Sequence, residues 1–498
     1  MTQTADPQTR ARMNRRAFLK SGTLAAAGFA ATMGPLHVLG LRGARPQPAR
    51  AATHPGYGPL VNKGDLWLPN EFHYEVISWQ GKPMSDGNLT PGIFDGMAAY
   101  PGPRGTTILI RNHENRERPG EIDVIVPAAL EYDTTALGGN TKLVLSPRRN
   151  GAHADGSPRI SHKVLEDFAI LGGTSTNCAG GIAEGTWITS EEVVKRTNGK
   201  KHGYNFEVPA HADGPVLAQP IRAAGRFSHE AVAWLDGVLY QTEDRSITPD
   251  PLLGEVGACF YRYTPDPSTY DGEDGTLGLA ASGGPLEALA VRGVPHANLH
   301  TGLHTVGQAY PVEWVPVPEP DHDDDTDVRT DRVEGFTPTR IQAQDNGAAY
   351  FQRPEGMWVA YDGRIYFDCT SGGSLGHGQV WQYDPAAETL TLIYESTDAN
   401  KLDFPDNVVI VPHTGHILVQ EDSDGDQYVR GVTPDGEIYD FAKNTDNATE
   451  FCGGCFDPAG NTFYLNQQGD RGSLPEGPGP DRAVTYAIYG PFGKARIR

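Results

Sequence analysis

Asp406-Asn-Val-Val-Ile-Val-Pro-His-Thr-Gly415-His-Ile-Leu-Val-Gln-Glu421-Asp422 reads as a β-hairpin. An acid opens a short apolar strand, a glycine marks the turn, and a second apolar strand ends in carboxylates. The outline recurs. Gly105 leads to Arg111-Asn112, Gly185 to Glu191-Glu192, Gly237 to Glu243-Asp244, Gly363 to Cys369-Thr370, and Gly460 to Asn466-Gln467. Each is preceded by another short strand, starting near Asp95, Cys178, Glu230, Glu355, Asp406 and Glu450. The glycine-to-glycine spacings are 80, 52, 126, 52 and 45 residues. The shorter ones suit a four-stranded propeller blade with modest loops. The sequence therefore predicts an all-β, six-bladed β-propeller with insertions, leaving room for a seventh blade in the longest gap.

Composition agrees. The 498 residues include 60 Gly and 39 Pro, and only 38% are hydrophobic, which opposes a helical bundle. Seven Trp, 20 Tyr and 17 Phe are enough for a packed core. A formal charge of −22 excludes nucleic acid as a main partner and favours cations.

Asn14-Arg15-Arg16-Ala-Phe-Leu-Lys20 is a twin-arginine pattern, followed by a weakly apolar stretch over 23–41 and a small-x-small site at Ala49-Arg50-Ala51. Gly28, Gly34, Pro35 and His37 make that stretch a poor membrane span, so cleaved signal is the reading and a single anchor its alternative. Residues 1–51 are expected to be a twin-arginine signal peptide. Residues 52–498 are expected to form one propeller domain with an insertion loop at about 264–345. The implied partner is the twin-arginine translocation machinery, and the destination is periplasmic or extracellular, with no stable membrane insertion after cleavage. Cleavage removes eight basic residues and one acidic residue, taking the charge to −29. Within the insertion, Asp321-His-Asp-Asp-Asp325 reads as a solvated loop, with a calcium loop as alternative.

Hairpin geometry turns the repeat into a chemical statement. The start of a first strand lies beside the end of the second. Asp95, Cys178, Glu230, Glu355, Asp406 and Glu450 should ring one mouth of the channel, joined by Glu192, Glu243, Asp244, Glu421 and Asp422. So many carboxylates repel one another unless cations are bound. Carboxylates alone suit calcium or magnesium. Thiolate suits iron or zinc, so Cys178 at a ligand position implies a mixed site, whereas a buried apolar cysteine is the plainer alternative. Cys452-Gly-Gly-Cys455 is a lone C-x-x-C, weak evidence for zinc and equally compatible with a local disulfide. Arg353, two residues before Glu355, shares its face if the segment is extended, unless it is an ordinary surface arginine. Asn177, beside Cys178, offers an amide hydrogen to the same site.

These residues resemble the PhoX-type alkaline phosphatases. The matching segments include Leu68-Pro-Asn-Glu-Phe-His-Tyr, Asp95-Gly-Met-Ala-Ala99, Arg111-Asn-His-Glu114, Asn177-Cys-Ala-Gly-Gly181, Gly185-Thr-Trp-Ile-Thr-Ser-Glu-Glu192, Gly225-Arg-Phe-Ser-His-Glu230, Arg353-Pro-Glu-Gly356, Pro405-Asp-Asn407 and Glu450-Phe451. The resemblance implies an exported metal-dependent hydrolase of small-molecule phosphate monoesters. It implies a ferric pair bridged by a cysteine thiolate and an oxo group, with glutamates joining iron to calcium. By motif, Cys178 looks like the bridging thiolate, Glu192, Glu230 and Glu355 like bridging carboxylates, Asp406 like a calcium ligand and Arg353 like the phosphate-facing cation. Only Ile182-Ala183-Glu184 separates two of the motifs, which leaves Glu191 and Glu192 both as candidates. Asp95 and Glu421 complete the expected metal set. Two rivals remain at this stage. One is a calcium-dependent propeller lactonase or other hydrolase, the other a non-catalytic calcium-binding propeller.

Overall fold

All six glycine hairpins form, and their first strands are β1 (Phe94–Pro101), β2 (Asn177–Ala183), β3 (His229–Leu235), β4 (Pro354–Val359), β5 (Pro405–Ile410) and β6 (Phe451–Phe456). The computed structural model describes residues 55–153, 158–268, 275–423, 425–444, 449–469 and 482–494. The twin-arginine pattern and the 49–51 cleavage site lie outside them. Each inner strand packs on the next, and β6 packs on β1, which closes a ring. The described residues thus make a six-bladed β-propeller.

The blades differ in how they finish. The first is four-stranded, β1 being followed by Thr107–His113, Gly138–Ala152 and Pro158–Thr174. The last is β6, Thr462–Gln467, Val484–Tyr489 and, outermost, His73–Trp79 from the other end of the chain. That exchange ties the two ends of the domain into one blade. Leu60–Asn62 and Leu66–Pro69 extend the fifth blade at its outer edge. Tyr57, Phe72, Phe441 and Phe492 pack edge to face across this closure, with Tyr57 donating to the Phe492 carbonyl at 2.8 Å.

The range 264–345, expected as a loop, carries structure. Leu286–Val291 is a strand buried at every residue but Glu287, Ala309–Pro316 is a strand whose Tyr310 and Val312 are buried between exposed neighbours, and Thr339–Asp345 is a short helix. Ala309–Pro316 pairs with Leu286–Val291 of the third blade and with Thr389–Glu395 of the fourth, joining both into one nine-stranded sheet. No blade is added. The acidic run is held by basic side chains. Lys201 reaches Asp321 at 3.1 Å and Asp323 at 2.8 Å, and Arg196 and Arg226 meet Asp325 at 2.9 and 2.7 Å. These carboxylates are already countered, which removes the basis for a calcium loop.

All six hairpins share one irregularity. The ladder pairs Phe94 with His113, Asn177 with Glu191, His229 with Glu243, Pro354 with Cys369, Pro405 with Glu421 and Phe451 with Gln467, and the register then slips within the next few residues of the inner strand. Such a bulge re-aims a side chain and sharpens the twist. The residue after the bulge opening is small or short in every blade, namely Gly96, Ala179, Ala231, Gly356, Asn407 and Gly453. Backbones meet there. A Cβ on Gly356 would stand 2.5 Å from Asn407 Cα and 2.6 Å from the Asp406 carbonyl oxygen. Gly356→Ala is therefore expected to cost about 1–3 kcal/mol in urea unfolding. Gly185→Ala, where a Cβ meets nothing within 4 Å, should stay within about 0.5 kcal/mol.

Candidate functional site

The bulges present one residue per blade at one end of the ring: Asp95, Cys178, Glu230, Glu355, Asp406 and Cys452. Register makes them equivalent, each following the ladder pair named above. In the sixth blade this position belongs to Cys452. Glu450, expected there, lies two residues earlier. A second ring comes from the residue after each outer partner: Glu114, Glu192, Asp244, Thr370, Asp422 and Gln468. Their amides donate to the carbonyls of Ile93, Thr176, Ser228, Arg353, Phe404 and Glu450 at 2.9–3.1 Å, the same bond in every blade.

The approach to the first ring is strained. Ile93, Thr176, Arg353 and Phe404, each two residues before a ring side chain, have φ of 48°, 52°, 52° and 49°. For branched or bulky residues the left-handed region is unfavourable, and such strain is held only where surrounding structure over-determines it. Arg353 is thus not extended. It still reaches Glu355, at 2.7 Å, by turning back.

Ligand atoms converge in three groups among the described residues, each within 4.8 Å. They are Glu114, Cys178 and Glu192; Glu230, Glu355 and Asp406; and Asp95, Glu450 and Cys452. Asp95 links the groups, its Oδ2 accepting from Cys178 Sγ at 3.4 Å and from Gln468 at 3.3 Å. Burial, then the Asp406 charge, pushes the Asp95 carboxyl up to about 8. Burial and Asp244 do the same for Glu192, pushed up to about 8 against the pull of Arg116 and Arg353. Burial and surrounding carboxylates raise Glu230 and the Cys178 thiol strongly. Both oxygens of Glu230 and Oδ1 of Asp95 are fully buried with no hydrogen-bond partner among the described residues. Orphaned buried carboxylate oxygens are costly, and a coordinated cation satisfies them, so this donor set fits metal ions.

Four expected site residues are placed differently. Glu191 accepts from His202 at 2.6 Å and from the amides of Ser175, Gly203 and Tyr204 at 3.0, 2.8 and 3.2 Å. Its acceptor positions are used, and it points away from Glu192, as alternation along a strand requires. Glu421 is ion-paired to Arg430 at 2.8 Å, outside the three groups. Glu243 is likewise turned inward, to Tyr261 and the Cys259 amide. Asn177 is fully buried, its amide donating to Thr189 at 3.0 Å and accepting from Thr174 at 2.7 Å, and it lies outside the three ligand groups. All five cysteines are free. Cys452 and Cys455 flank the bulge and face different surroundings, Cys455 packing with Met97, Leu109 and Tyr464, which is why no local disulfide forms.

Arg353 is bidentate to Asp244 at 2.8 and 3.0 Å and lines a cavity of about 260 Å³ together with Arg245 and Arg340. Sequence reasoning missed three contributors: Glu114, Cys452 and Arg116, whose guanidinium covers Glu114 and reaches Glu192 at 3.3 Å. Glu114 was visible only as the last residue of Arg111-Asn-His-Glu114, displaced by a longer hairpin. For Cys452 the signal was the small residue that follows every ring position.

Fold and site together define a propeller hydrolase with a buried carboxylate–thiol centre. The family model described as alkaline phosphatase PhoX matches residues 55–470. The chain belongs to this family of metal-dependent phosphoric monoester hydrolases, which act on phosphate esters. The structure of Pseudomonas fluorescens PhoX in complex with vanadate, a transition state analogue, is similar at TM-score 0.57 and 16% identity, over 88% of this chain and 98% of that one. A periplasmic gluconolactonase of Pseudomonas aeruginosa is similar at TM-score 0.33 and 13% identity, over 74% and 96%. A protein of unknown function from Dyadobacter fermentans is similar at TM-score 0.40 and 8% identity, over 84% and 100%. No curated protein matches the chain.

Adjacent glutamates should behave oppositely. Glu192→Gln is expected to lower bound metal while leaving the urea stability of the chelated protein near neutral pH unchanged, since burial and Asp244 already favour the neutral carboxyl there. Glu191→Gln should lose about 1.5–3 kcal/mol whether metal is present or not, because charge-assisted hydrogen bonds are lost. Metal titration and urea unfolding of both variants check this.

Proposed function

We propose that the chain is an exported phosphatase whose centre combines iron near Cys178 with calcium among the neighbouring carboxylates. The observation that carries the reading is the division of donors. One group mixes a buried thiol with Glu114 and Glu192, and the next, Glu230, Glu355 and Asp406, is purely carboxylate. Soft and hard donors side by side suit two kinds of cation. Cations held there would neutralise phosphoryl oxygens and supply an activated oxygen nucleophile. The chain's own contribution is position and charge. Asp244 and Glu355 fix Nε and Nη2 of Arg353, leaving the Nη1 edge for a phosphoryl oxygen beside the cavity. Arg116 supplies a second guanidinium over Glu114 and Glu192. The first-ring carboxylates are buried, whereas Arg116 and Arg353 keep part of their surface in solvent, where an arriving phosphate ester could meet them.

Export rests on Arg15 and Arg16. Among the described residues no helix is long and apolar enough to cross a membrane. Elemental analysis of protein from its native host is expected to find both iron and calcium. Cys178→Ser should remove iron and most phosphatase activity, while Cys259→Ser and Cys369→Ser, each in an apolar cluster, should keep both. Active protein containing calcium alone would return the reading to a calcium-only hydrolase.

Arg353→Lys keeps the charge and loses the fork. Losing a charge-assisted hydrogen bond of about 1.5–3 kcal/mol should lower kcat/KM roughly 10- to 100-fold, with metal content near wild type. Steady-state kinetics on a generic phosphate monoester, beside metal analysis, reads both. Normal kinetics would leave Arg353 a spacer between Asp244 and Glu355.

A further inference from the structure

The five cysteines fall into two kinds. Cys259, Cys369 and Cys455 are packed within hydrophobic clusters, where a thiol serves as a small apolar filler. Cys178 and Cys452 face carboxylates instead. Cys452 occupies in β6 the register position that Cys178 occupies in β2, one residue past the pairs Phe451–Gln467 and Asn177–Glu191. Its Sγ and one carboxylate oxygen each from Asp95 and Glu450 lie within 4.8 Å of one another. Cys452 and Asp95 are fully buried, and Asp95 Oδ1 has no hydrogen-bond partner among the described residues. The glycine that follows, Gly453, lets the two backbones touch. A Cβ there would stand 2.2 Å from the Asp95 carbonyl oxygen, so β6 can approach β1 closely enough to bring the thiol to the carboxylate.

We propose that Asp95, Glu450 and Cys452 form a second thiolate-bearing metal position, one that takes a borderline cation such as iron(II) or zinc(II) in preference to calcium. A thiolate is a poor partner for a hard cation and a strong one for these. Cys452 Sγ donates to the Phe94 carbonyl at 3.0 Å. On binding, the sulfur–metal bond forms, and the thiol proton leaves to solvent. The position rests on the metal-centre reading above only in sharing Asp95, through its contact with Cys178. The ring would then carry two soft positions flanking one carboxylate.

Cadmium(II) is a suitable probe because its bonds to sulfur absorb in the ultraviolet and its nuclear shift counts sulfur ligands. The full chain, chelated and reloaded with cadmium(II), is expected to show sulfur-ligated resonances, one of which survives in Cys178→Ser. Cys178→Ser and Cys452→Ser should each remove about half of the charge-transfer intensity, and the double variant all of it. If Cys452→Ser matches wild type and Cys178→Ser abolishes the band, Cys452 is a buried thiol bonded to Phe94 and the proposal fails. Loss of the band in Cys452→Ser alone would sink the assignment of Cys178 and leave this one standing. Should Cys452→Ser fail to fold, Cys178→Ser decides alone: a sulfur-ligated resonance that survives in it upholds the proposal, and none overturns it.

Discussion

Everything at the ring's end follows from forcing like charges together out of water. The two register-equivalent rings carry Asp95, Glu230, Glu355, Asp406, Glu114, Glu192, Asp244 and Asp422, with Glu450 beside them. Two carboxylates at 4.8 Å repel by about 3–4 kcal/mol at an effective dielectric of about 20. Arg116 and Arg353 are the guanidiniums set directly against these groups, and two positive charges cannot balance so many acids. Without cations the protein answers by protonation, which is the meaning of the raised Asp95, Glu192 and Glu230. Cation binding at these groups would go together with their deprotonation, and the fold's task is to keep the side chains from moving apart.

The bulges perform that task. In a regular hairpin the first inner-strand residues would alternate between the channel and the next blade. The extra residue redirects one side chain per blade toward the same end, and positive φ at Ile93, Thr176, Arg353 and Phe404 locks four of the approaches. The cost is met by packing: Gly96 against Ala179, Gly356 against Asn407 and Gly453 against Asp95 put backbone on backbone around the ring. A side chain at any of these glycines would push two blades apart and misplace ligands on both.

The sequence exposed the blade count because glycine turns and strand-length spacing are local signals. Asp95, Cys178, Glu230, Glu355 and Asp406 were legible for the same reason, each opening a strand. In the sixth blade Glu450 does join the cluster, but the register position belongs to Cys452, and the small residue after it is the mark of a bulge. Glu191 could not be separated from Glu192 without register, since alternation sends neighbours to opposite faces and nothing local says which is inward. Asn177 fell to the same rule, being next to a ring residue and therefore facing away from it. The strands inside 264–345 were hidden because Leu286–Val291 and Ala309–Pro316 take their partners from blades 3 and 4, and no sequence signal names a distant edge.

An acidic chain that handles an anionic substrate raises a last question of scale. The formal charge of −22 repels phosphate at long range, but at physiological salt that field fades over about 8 Å. Attraction must then come from within the site. Arg353 stands at the cavity wall with Arg245 and Arg340, and each of the first two is pinned by a carboxylate, Asp244 for Arg353 and Asp327 for Arg245. Pinning fixes the donors' direction and cancels much of their net charge. In the function proposed above such a pocket would select by geometry, and cations held by the ring would supply the positive charge. The acidic surface would then have a complementary role, concentrating divalent cations near a ring whose crowded carboxylates the bulges hold in place.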